Sequence, residues 1–331
     1  MAAREYTISW YSISDMKKLF LDLSGGDNPA SVICEGAFSA LSKTPGLFIS
    51  FVGPSQDYEG VAEKHADLKD RFDFIPSESV LTNEDNPMLA AKPGASFSMS
   101  VALESLSKCD QPSAVVCVGN TGALVITSVI KIGLETGNKR PVLAALLPYG
   151  IDERVCLVDC GSSLEPTPEE MLDFGRLGAR LMESRGIENP KVALLNVGRE
   201  DCKGTDRLVS AFNLLKDSGL NFIGNIEPDD LLTGEADVAV STGLVGNALL
   251  KGNESAGTLV ADAIRNGLKE RLSGESLKAA LEVLDETKCL YQYNEYGGAV
   301  ILGIRKHVVK AHGKADSNTI ESCIYQAIKS I

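Results

Sequence analysis

The sequence predicts a three-layer α/β/α protein with a mainly parallel sheet. Short apolar runs alternate along the chain with longer segments of helical periodicity, which is the order typical of βαβ units. The apolar runs are almost continuous in Val, Ile, Leu and Ala, as expected of strands that helices cover on both faces. With 331 residues, of which 44% are hydrophobic, the chain can bury one large core or two modest ones.

The first half of the chain supplies strands and helices in strict alternation. Four runs predict strands: KKLFLDL, GLFISFVG, FDFIP and SAVVCVG. Four segments predict helices: ASVICEGAFSALSK, YEGVAEKHADLKDRF, FSMSVALESLSK and GALVITSVIKIGLE. A polar segment that contains Pro and Gly, SESVLTNEDNPMLAAKPGAS, predicts a loop or a lid.

The second half continues in the same style. Five runs predict strands: PVLAALLP, VCLVDCG, KVALLNVG, NFIGNI and ADVAVSTG. Two segments predict helices that pack on this sheet: PEEMLDFGRLGARLMESRG and TDRLVSAFNLLKDSG. A long stretch, SAGTLVADAIRNGLKERLSGESLKAALEVLDETK, is helical in pattern and charged on one face, so a helical protrusion is expected near residues 257–290.

Composition excludes several classes of function. A net charge of −13 argues against nucleic acid as a partner, because phosphate backbones require a basic face. The 8 cysteines form no C-x-x-C pair and only 3 histidines are present, so no metal site is expected. Buried, reduced thiols in a cytoplasmic protein are the expectation. The first residues lack the apolar core of a secretory signal, and no run has the length of a membrane span.

Six of the predicted strands end in small polar turns of one kind. These turns are DLSGGDNP, VGNTG, VDCGSS, NVGREDCKGTD, IGNIE and STGLVGN. Because ligands bind beyond the carboxyl ends of parallel strands, the six turns are expected to meet at one end of the sheet and to line one cleft. The alternative is that each turn only connects a strand to a helix, which Gly and Asn do at little cost.

The residues in these turns restrict the chemistry. The sequence has no G-x-S-x-G elbow, no complete Walker A motif and no dinucleotide fingerprint. Backbone N–H groups, Asn amides and Lys203 remain, a set that suits the binding of an anion and the stabilisation of an oxyanion. No cofactor is expected.

The motifs of the chain resemble those of a known family, the PlsX phosphate acyltransferases of bacterial phospholipid synthesis. LDLSGGDNPA resembles the family's opening D-x-M-G-G-D motif. Later motifs match in order: VGNTGALV, RPVLAALLP, GIENPKVALLNVGREDCKGTD, NFIGNIEPDDLLTGEADVAV, GLVGNALLK and YGGAVILGIRKHVVKAHGKAD. The resemblance runs from about Leu19 to the C-terminus and implies a fold like that of isocitrate and isopropylmalate dehydrogenases.

The resemblance also implies a reaction in which inorganic phosphate attacks an acyl thioester and releases acyl phosphate. Phosphate is itself the nucleophile, so no Ser or Cys nucleophile is needed. Lys203 would hold the phosphate as a point charge, and Asn247 with the turn at Gly119 would bind the thioester carbonyl. The candidate site residues are Lys203 and Asn247 as catalytic groups and, for substrate or phosphate binding, Gly25, Gly26, Asp27, Asn120, Thr121, Gly122, Asn196, Asn225, Gly246 and His312.

Structural alternatives stand beside two of these assignments, and a third polar turn residue, Asp159, is open to the same interpretation. A lysine in a polar turn is usually a solvated surface residue, and only the match to the family motif favours a functional role for Lys203. His312 is equally consistent with a histidine at the edge of the core that bonds to backbone. Asp159 is consistent with a residue that only caps the turn after its strand.

The chain departs from the family pattern in four places, and the last of them bears on the donor. G-G-D-H-A-P appears as Gly25–Ala30 without the histidine, and D-G-F-T-G-N appears as Thr242–Asn247 without the carboxylate. L-G-A-N appears as Cys160–Ser163. The basic R-x-K-K-D-S-S segment is replaced by Lys92–Ser98, which carries one charge. Because acyl carrier protein is acidic, this loss puts that donor in doubt.

Three functions follow from these observations. The first is the family reaction on a fatty acyl carrier protein. The second is the same chemistry with another thioester, on coenzyme A or on a partner enzyme's thiol as in amino-acid reductase complexes. The third is a diverged binding subunit without turnover. The expected partners are inorganic phosphate, the acyl thioester donor and a second copy of the chain, with the 257–290 helices in the homodimer interface.

The expected domain organisation is an N-terminal extension, residues 1–18, followed by one PlsX-like domain, residues 19–331. In relatives an amphipathic helical tip contacts membrane. The corresponding helices here are well charged, which disfavours such contact but leaves peripheral membrane contact as an option.

Overall fold

The computed structural model describes residues 16–82, 84–150, 153–291 and 298–331. Its strands are β1 (Lys17–Asp22), β2 (Leu47–Gly53), β3 (Phe72–Pro76), β4 (Ser113–Cys117), β5 (Val142–Pro148), β6 (Arg154–Val158), β7 (Val192–Leu195), β8 (Phe222–Ile226), β9 (Val238–Val240), β10 (Ala299–Leu302) and β11 (His307–Lys310). Its α-helices are α1 (Ala30–Lys43), α2 (Val61–Lys64), α3 (Met88–Ala91), α4 (Ser98–Ser107), α5 (Thr121–Lys131), α6 (Pro168–Ser184), α7 (Asp206–Lys216), α8 (Gly243–Arg271), α9 (Gly274–Tyr291) and α10 (Ser317–Lys329). Residues 1–15, most of the predicted extension, lie outside the described residues.

All eleven strands belong to one sheet, in the order β3-β2-β1-β4-β11-β10-β5-β6-β9-β7-β8. Strands β3, β2, β1, β4 and β11 pair in parallel, and so do β6, β9, β7 and β8. Between these two groups, the pairs β11–β10, β10–β5 and β5–β6 are antiparallel. Three reversals in succession leave the two parallel groups running in opposite directions.

The reversal places the polar turns at two ends of the sheet. The first end holds the carboxyl ends of β1, β4 and β11, and the second end holds those of β6, β7, β8 and β9. The expectation that six turns share one end is therefore wrong. A strand-to-strand reversal swaps the end at which every later parallel strand finishes.

Helices cover both faces of the sheet, which confirms the predicted three-layer α/β/α class. One face carries a single core in which α4, α5 and α8 pack on alternate strand residues such as Val115, Leu147 and Leu157. On the opposite face, one core under α1 and α10 covers the first parallel group. A separate core under α6 and α7 covers the second group.

The nine predicted strands all form, but two local expectations differ from the structure. The segment YEGVAEKHADLKDRF is not one helix: α2 ends at Lys64 and a 3-10 helix follows over Ala66–Arg71. Between them, the ring of His65 stacks on Phe38 with centroids 3.6 Å apart, so tertiary packing overrides the helical pattern. The C-terminal hairpin β10–β11 and helix α10 were not predicted as elements.

Candidate active site

Three turns at the first end pack backbone against backbone. Gly119 follows β4 with φ 93°, and a Cβ there would lie 2.7 Å from the carbonyl oxygen of Gly25. The amide of Asp27 donates to the carbonyl of Gly313, which follows β11, at 2.7 Å. The turns that carry Gly25, Gly26, Asp27 and His312 therefore form one tight cluster, and only glycine permits the contact at Gly119.

The turn after β4 opens helix α5 and belongs to the same cluster. Asn120 is the N-cap, and its side-chain oxygen accepts from the amide of Ala123 at 3.0 Å. Thr121 and Gly122 form the first turn of the helix, whose backbone N–H groups have no partner within the helix. The amide oxygen of Asn120 thus has a structural role, and the anion-binding potential of this turn resides in backbone N–H groups.

At the second end, two buried amides hold the β7–α7 loop. Asn196 donates to the carbonyl of Lys203 at 3.0 Å and to the side-chain oxygen of Asn225 at 3.2 Å. Asn225 donates in turn to the carbonyl of Glu200 at 2.9 Å. The side chain of Lys203 is 45% exposed and lies 3.5 Å from a carboxylate oxygen of Glu200. The loop is therefore rigid, and its lysine faces solvent.

The second end also contains a buried carboxylate, Asp159, directly after β6. It is 0% exposed and accepts five hydrogen bonds, from the amides of Gly161, Ser162 and Ser163 and from both serine hydroxyls. The turn packs on the start of α8, where a Cβ on Gly246 would lie 1.9 Å from the carbonyl oxygen of Asp159. Only glycine fits at position 246, because the backbone of Asp159 approaches it so closely. The five hydrogen bonds within the turn support the interpretation that Asp159 caps it.

Helix α8 connects the two ends. Asn247, in its second turn, lies beside Gly161 of the second end, 3.7 Å from the position of a Cβ there. One helical turn later, Nζ of Lys251 lies 2.7 Å from Nε2 of His312 at the first end and 2.8 Å from Oε2 of Glu254. Asn247, Lys251 and Glu254 have the i, i+4, i+7 spacing of one helix face. The sequence analysis missed Lys251 and Glu254, although this spacing after Asn247 was visible.

Two charged side chains are buried beneath the turns of the first end. Asp22 ends β1 and is 0% exposed, and Lys310 ends β11 and is 9% exposed. Burial raises the pKa of Asp22 to about 7 and lowers the pKa of Lys310 to about 8. The sequence analysis assigned no role to either side chain: Asp22 was part of a predicted strand, and Lys310 was part of a motif that resembles the family. Strongly shifted groups beside a cleft are typical of functional sites.

A cavity of about 660 Å³ lies next to the charged groups of α8. Its walls come from the end of β5, from α8 and from α9, with apolar side chains such as Leu147, Leu250 and Ile264. Glu254, His312 and Lys314 line it as well. The cavity is thus apolar along most of its wall and charged where it meets the first end, which is the arrangement of a site for an apolar molecule with a polar head.

Comparison with known proteins assigns the family. A family model described as a fatty acid synthesis protein matches residues 17–331. A phosphate acyltransferase of Lysinibacillus sphaericus is 36% identical over 315 residues, covering 94% of this chain and 93% of the relative. The chain belongs to the phosphate acyltransferase family. Another such relative, from Caldanaerobacter subterraneus subsp. tengcongensis, is 37% identical over 316 residues and covers 94% of this chain and 92% of its own.

Solved structures show the same fold at low identity. A phosphotransacetylase of Staphylococcus aureus has a TM-score of 0.60 at 16% identity, covering 96% of this chain and 94% of its own. A 4-hydroxythreonine-4-phosphate dehydrogenase of Klebsiella pneumoniae has a TM-score of 0.52 at 13% identity, covering 96% of this chain and 100% of its own. The family resemblance implied a dehydrogenase-like architecture, and these structures confirm it.

Two further observations bear on the sequence-based expectations. Among the described helices, none combines the length and the apolar composition that crossing a membrane requires.

Cys160, which lies in a polar turn of the second end, is buried, and burial raises the pKa of its thiol well above the usual value. Cys160 is therefore a structural thiol, not a nucleophile.

Proposed function

We propose that this protein transfers an acyl group from a thioester to inorganic phosphate. A phosphate oxygen attacks the carbonyl carbon, the carbon–sulfur bond breaks, and acyl phosphate and a thiolate that takes up a proton are formed. The observation that carries the proposal is membership of the phosphate acyltransferase family over residues 17–331. The fold shared with a phosphotransacetylase is consistent with the proposal but shows the fold alone.

The site on α8 suits this chemistry. The apolar cavity offers a place for the acyl chain, and its charged end offers a place for the reacting carbonyl and phosphate. Asn247, in the second turn of α8 and beside the turn at Gly161, is proposed to donate to the developing oxyanion. Two lysines are candidates for the phosphate: Lys203 of the second end, as the family resemblance implies, and Lys251, which contacts His312 at the first end.

The thioester donor is proposed to be coenzyme A or another non-carrier thiol more readily than acyl carrier protein. The loop after α3, at Lys92, Pro93 and Gly94, is exposed and carries one positive charge where the family pattern has several. With a net charge of −13, the chain offers an acidic carrier little electrostatic attraction. A role in phospholipid synthesis, which the family resemblance implies, requires a long acyl group on whichever donor is used.

A homodimer is proposed through α8 and α9. Large apolar side chains on these helices are exposed in the single chain, among them Leu259, Val260 and Val283. Exposed apolar side chains that cluster on one surface are typical of a protein interface, so these helices are the proposed contact. The prediction that residues 257–290 contribute to a dimer interface is kept, and light scattering at micromolar concentration tests it.

The proposed activity is tested by trapping acyl phosphate with hydroxylamine. Purified protein is incubated with inorganic phosphate and either acetyl- or palmitoyl-coenzyme A, or the same acyl groups on acyl carrier protein. Formation of hydroxamate that depends on both phosphate and enzyme is the expected result. No hydroxamate from any of the four thioesters would favour a binding subunit without turnover.

A further inference from the structure

The hydrogen bond that His312 accepts from the backbone of Lys314 assigns the proton of its ring. The backbone amide of Lys314 donates to Nδ1 at 3.1 Å, so Nδ1 is the acceptor nitrogen of the ring. A neutral imidazole has one acceptor and one N–H, and the proton therefore lies on Nε2. Burial, together with Lys251 and Lys310, lowers the pKa of His312, so the neutral ring is the form present near pH 7.

This tautomer sets two donors against each other. Nε2 of His312 lies 2.7 Å from Nζ of Lys251, and the ammonium group of Lys251 has only donors. Glu254 accepts one of the three ammonium protons at 2.8 Å, which leaves the others available. Both side chains are partly exposed, and Oε2 of Glu254 lies 2.8 Å from Nζ and 4.0 Å from Nε2. An anion oxygen placed beside both N–H groups would accept a hydrogen bond from each.

The surrounding charges favour an anion at this place. Lys251 of α8 and Lys310 of β11 both act on His312 as positive charges. Asp27, from the turn after β1, and Glu254, from α8, oppose them with negative charge. Lys314 adds a further positive charge at the cavity wall. Nearby, the N-terminus of α5 contributes its free backbone N–H groups.

We infer that Lys251 and His312 bind inorganic phosphate, the acyl acceptor, at the charged end of the apolar cavity. Nε2–H of His312 and the ammonium group of Lys251 each donate to a phosphate oxygen, and buried Lys310 supports the site from below. The identity of the anion rests on the proposed function. The inference adds a lysine of the first end to the phosphate site, whether or not Lys203 also contributes.

Calorimetric titration of the full-length protein with inorganic phosphate tests the inference directly. Lys251→Met is expected to weaken phosphate binding at least tenfold, because it removes one charged donor and keeps a side chain of similar length. Lys216→Met, at an exposed helical lysine on α7, is the matched control and should bind within twofold of the wild type. Wild-type affinity in Lys251→Met, with the protein folded by circular dichroism, would overturn the inference.

Two histidine variants separate the donor from the fold. His312→Asn keeps an acceptor near the Nδ1 position for the amide of Lys314 but removes the Nε2 donor, so phosphate binding should weaken. His312→Gln places a donor near the Nε2 position and should bind phosphate more tightly than His312→Asn. The reverse ranking would contradict the assignment. Phosphate binding without any acyl phosphate formation would refute the proposed function and leave this inference standing.

Discussion

Each end of the sheet has a carboxyl group that is 0% exposed, and the two groups differ in their hydrogen bonds. At the second end, Asp159 accepts five hydrogen bonds from its own turn. At the first end, Asp22 accepts a backbone N–H from Ser24 at 3.2 Å, and burial raises its pKa to about 7. A carboxylate that accepts hydrogen bonds from its whole turn stabilises that turn. A carboxylate whose pKa is raised by burial is unfavourable when ionised, and such groups are typical of functional sites.

The lysines follow the same division. Lys310 of the first end is 9% exposed, and burial lowers its pKa to about 8. Lys203 of the second end has a side chain that is 45% exposed and lies beside Glu200. Turns of similar composition thus have different roles: the second end is hydrogen-bonded for rigidity, and the first end concentrates charge around His312 and Lys251. The following predictions test this contrast.

The largest effect is expected from Asp159→Asn. The amide would turn an NH₂ group toward hydroxyl and backbone donors that now share the carboxylate, so about 3–5 kcal/mol of the free energy of unfolding should be lost. Chemical denaturation at pH 7 measures the loss. A change below about 1 kcal/mol would show that the turn does not depend on this charge.

Asp22→Asn is expected to stabilise the protein, but only at higher pH. The pKa of Asp22 rises from 3.8 to about 7 on folding, so between these values the folded state binds the extra proton and wild-type stability falls as pH rises. The variant lacks this group, and its advantage should grow from near zero at pH 4 to on the order of 4 kcal/mol at pH 8. Denaturation curves across that range measure it, and equal slopes for both proteins would contradict the buried, protonated carboxyl.

Lys203→Ala is expected to change stability by less than about 0.5 kcal/mol, because an exposed ion pair contributes little. Acyl phosphate formation should fall more than stability does if Lys203 has the catalytic role that the family resemblance implies. Thermal unfolding and the hydroxamate assay are compared on the same preparation. A destabilisation of about 2–5 kcal/mol, as for a core truncation, would identify Lys203 as a structural residue.

A separate prediction concerns the donor and the exposed loop at Lys92. Loss of two or three rim charges should weaken docking of acyl carrier protein by about 1–3 kcal/mol in total. For the same acyl group, kcat/KM is therefore expected to favour coenzyme A. A preference for acyl carrier protein that fades with added salt would show that a basic docking surface lies elsewhere.

Much of the fold could be predicted from the sequence, because buried strands read as continuous apolar runs. The reversal of the sheet was not predicted, yet its signal is present. Only five residues separate Pro148 at the end of β5 from Arg154 at the start of β6, and a parallel crossover needs a dozen or more. The connection from Leu302 to His307 is shorter still.

The candidate site was predictable where glycine and asparagine mark turns, and not where tertiary burial decides. Gly25 and Asn120 were found because Gly and Asn mark the polar turns after predicted strands, and His312 because it lies in a motif that resembles the family. Lys251 and Glu254 resemble the charged face of a surface helix, and only their contact with His312 distinguishes them. Burial of Lys310 depends on neighbouring strands, which no local pattern shows.

The central claim is that the acceptor phosphate binds at the first end of the sheet, and steady-state kinetics with varied phosphate tests it most directly. Phosphate KM is measured for the wild type, Lys251→Met, Lys203→Met and the control Lys216→Met at a saturating concentration of whichever thioester supports activity. The account predicts that Lys251→Met raises the phosphate KM at least tenfold and leaves the thioester KM within about twofold. An unchanged phosphate KM in Lys251→Met, with a raised one in Lys203→Met, would contradict it.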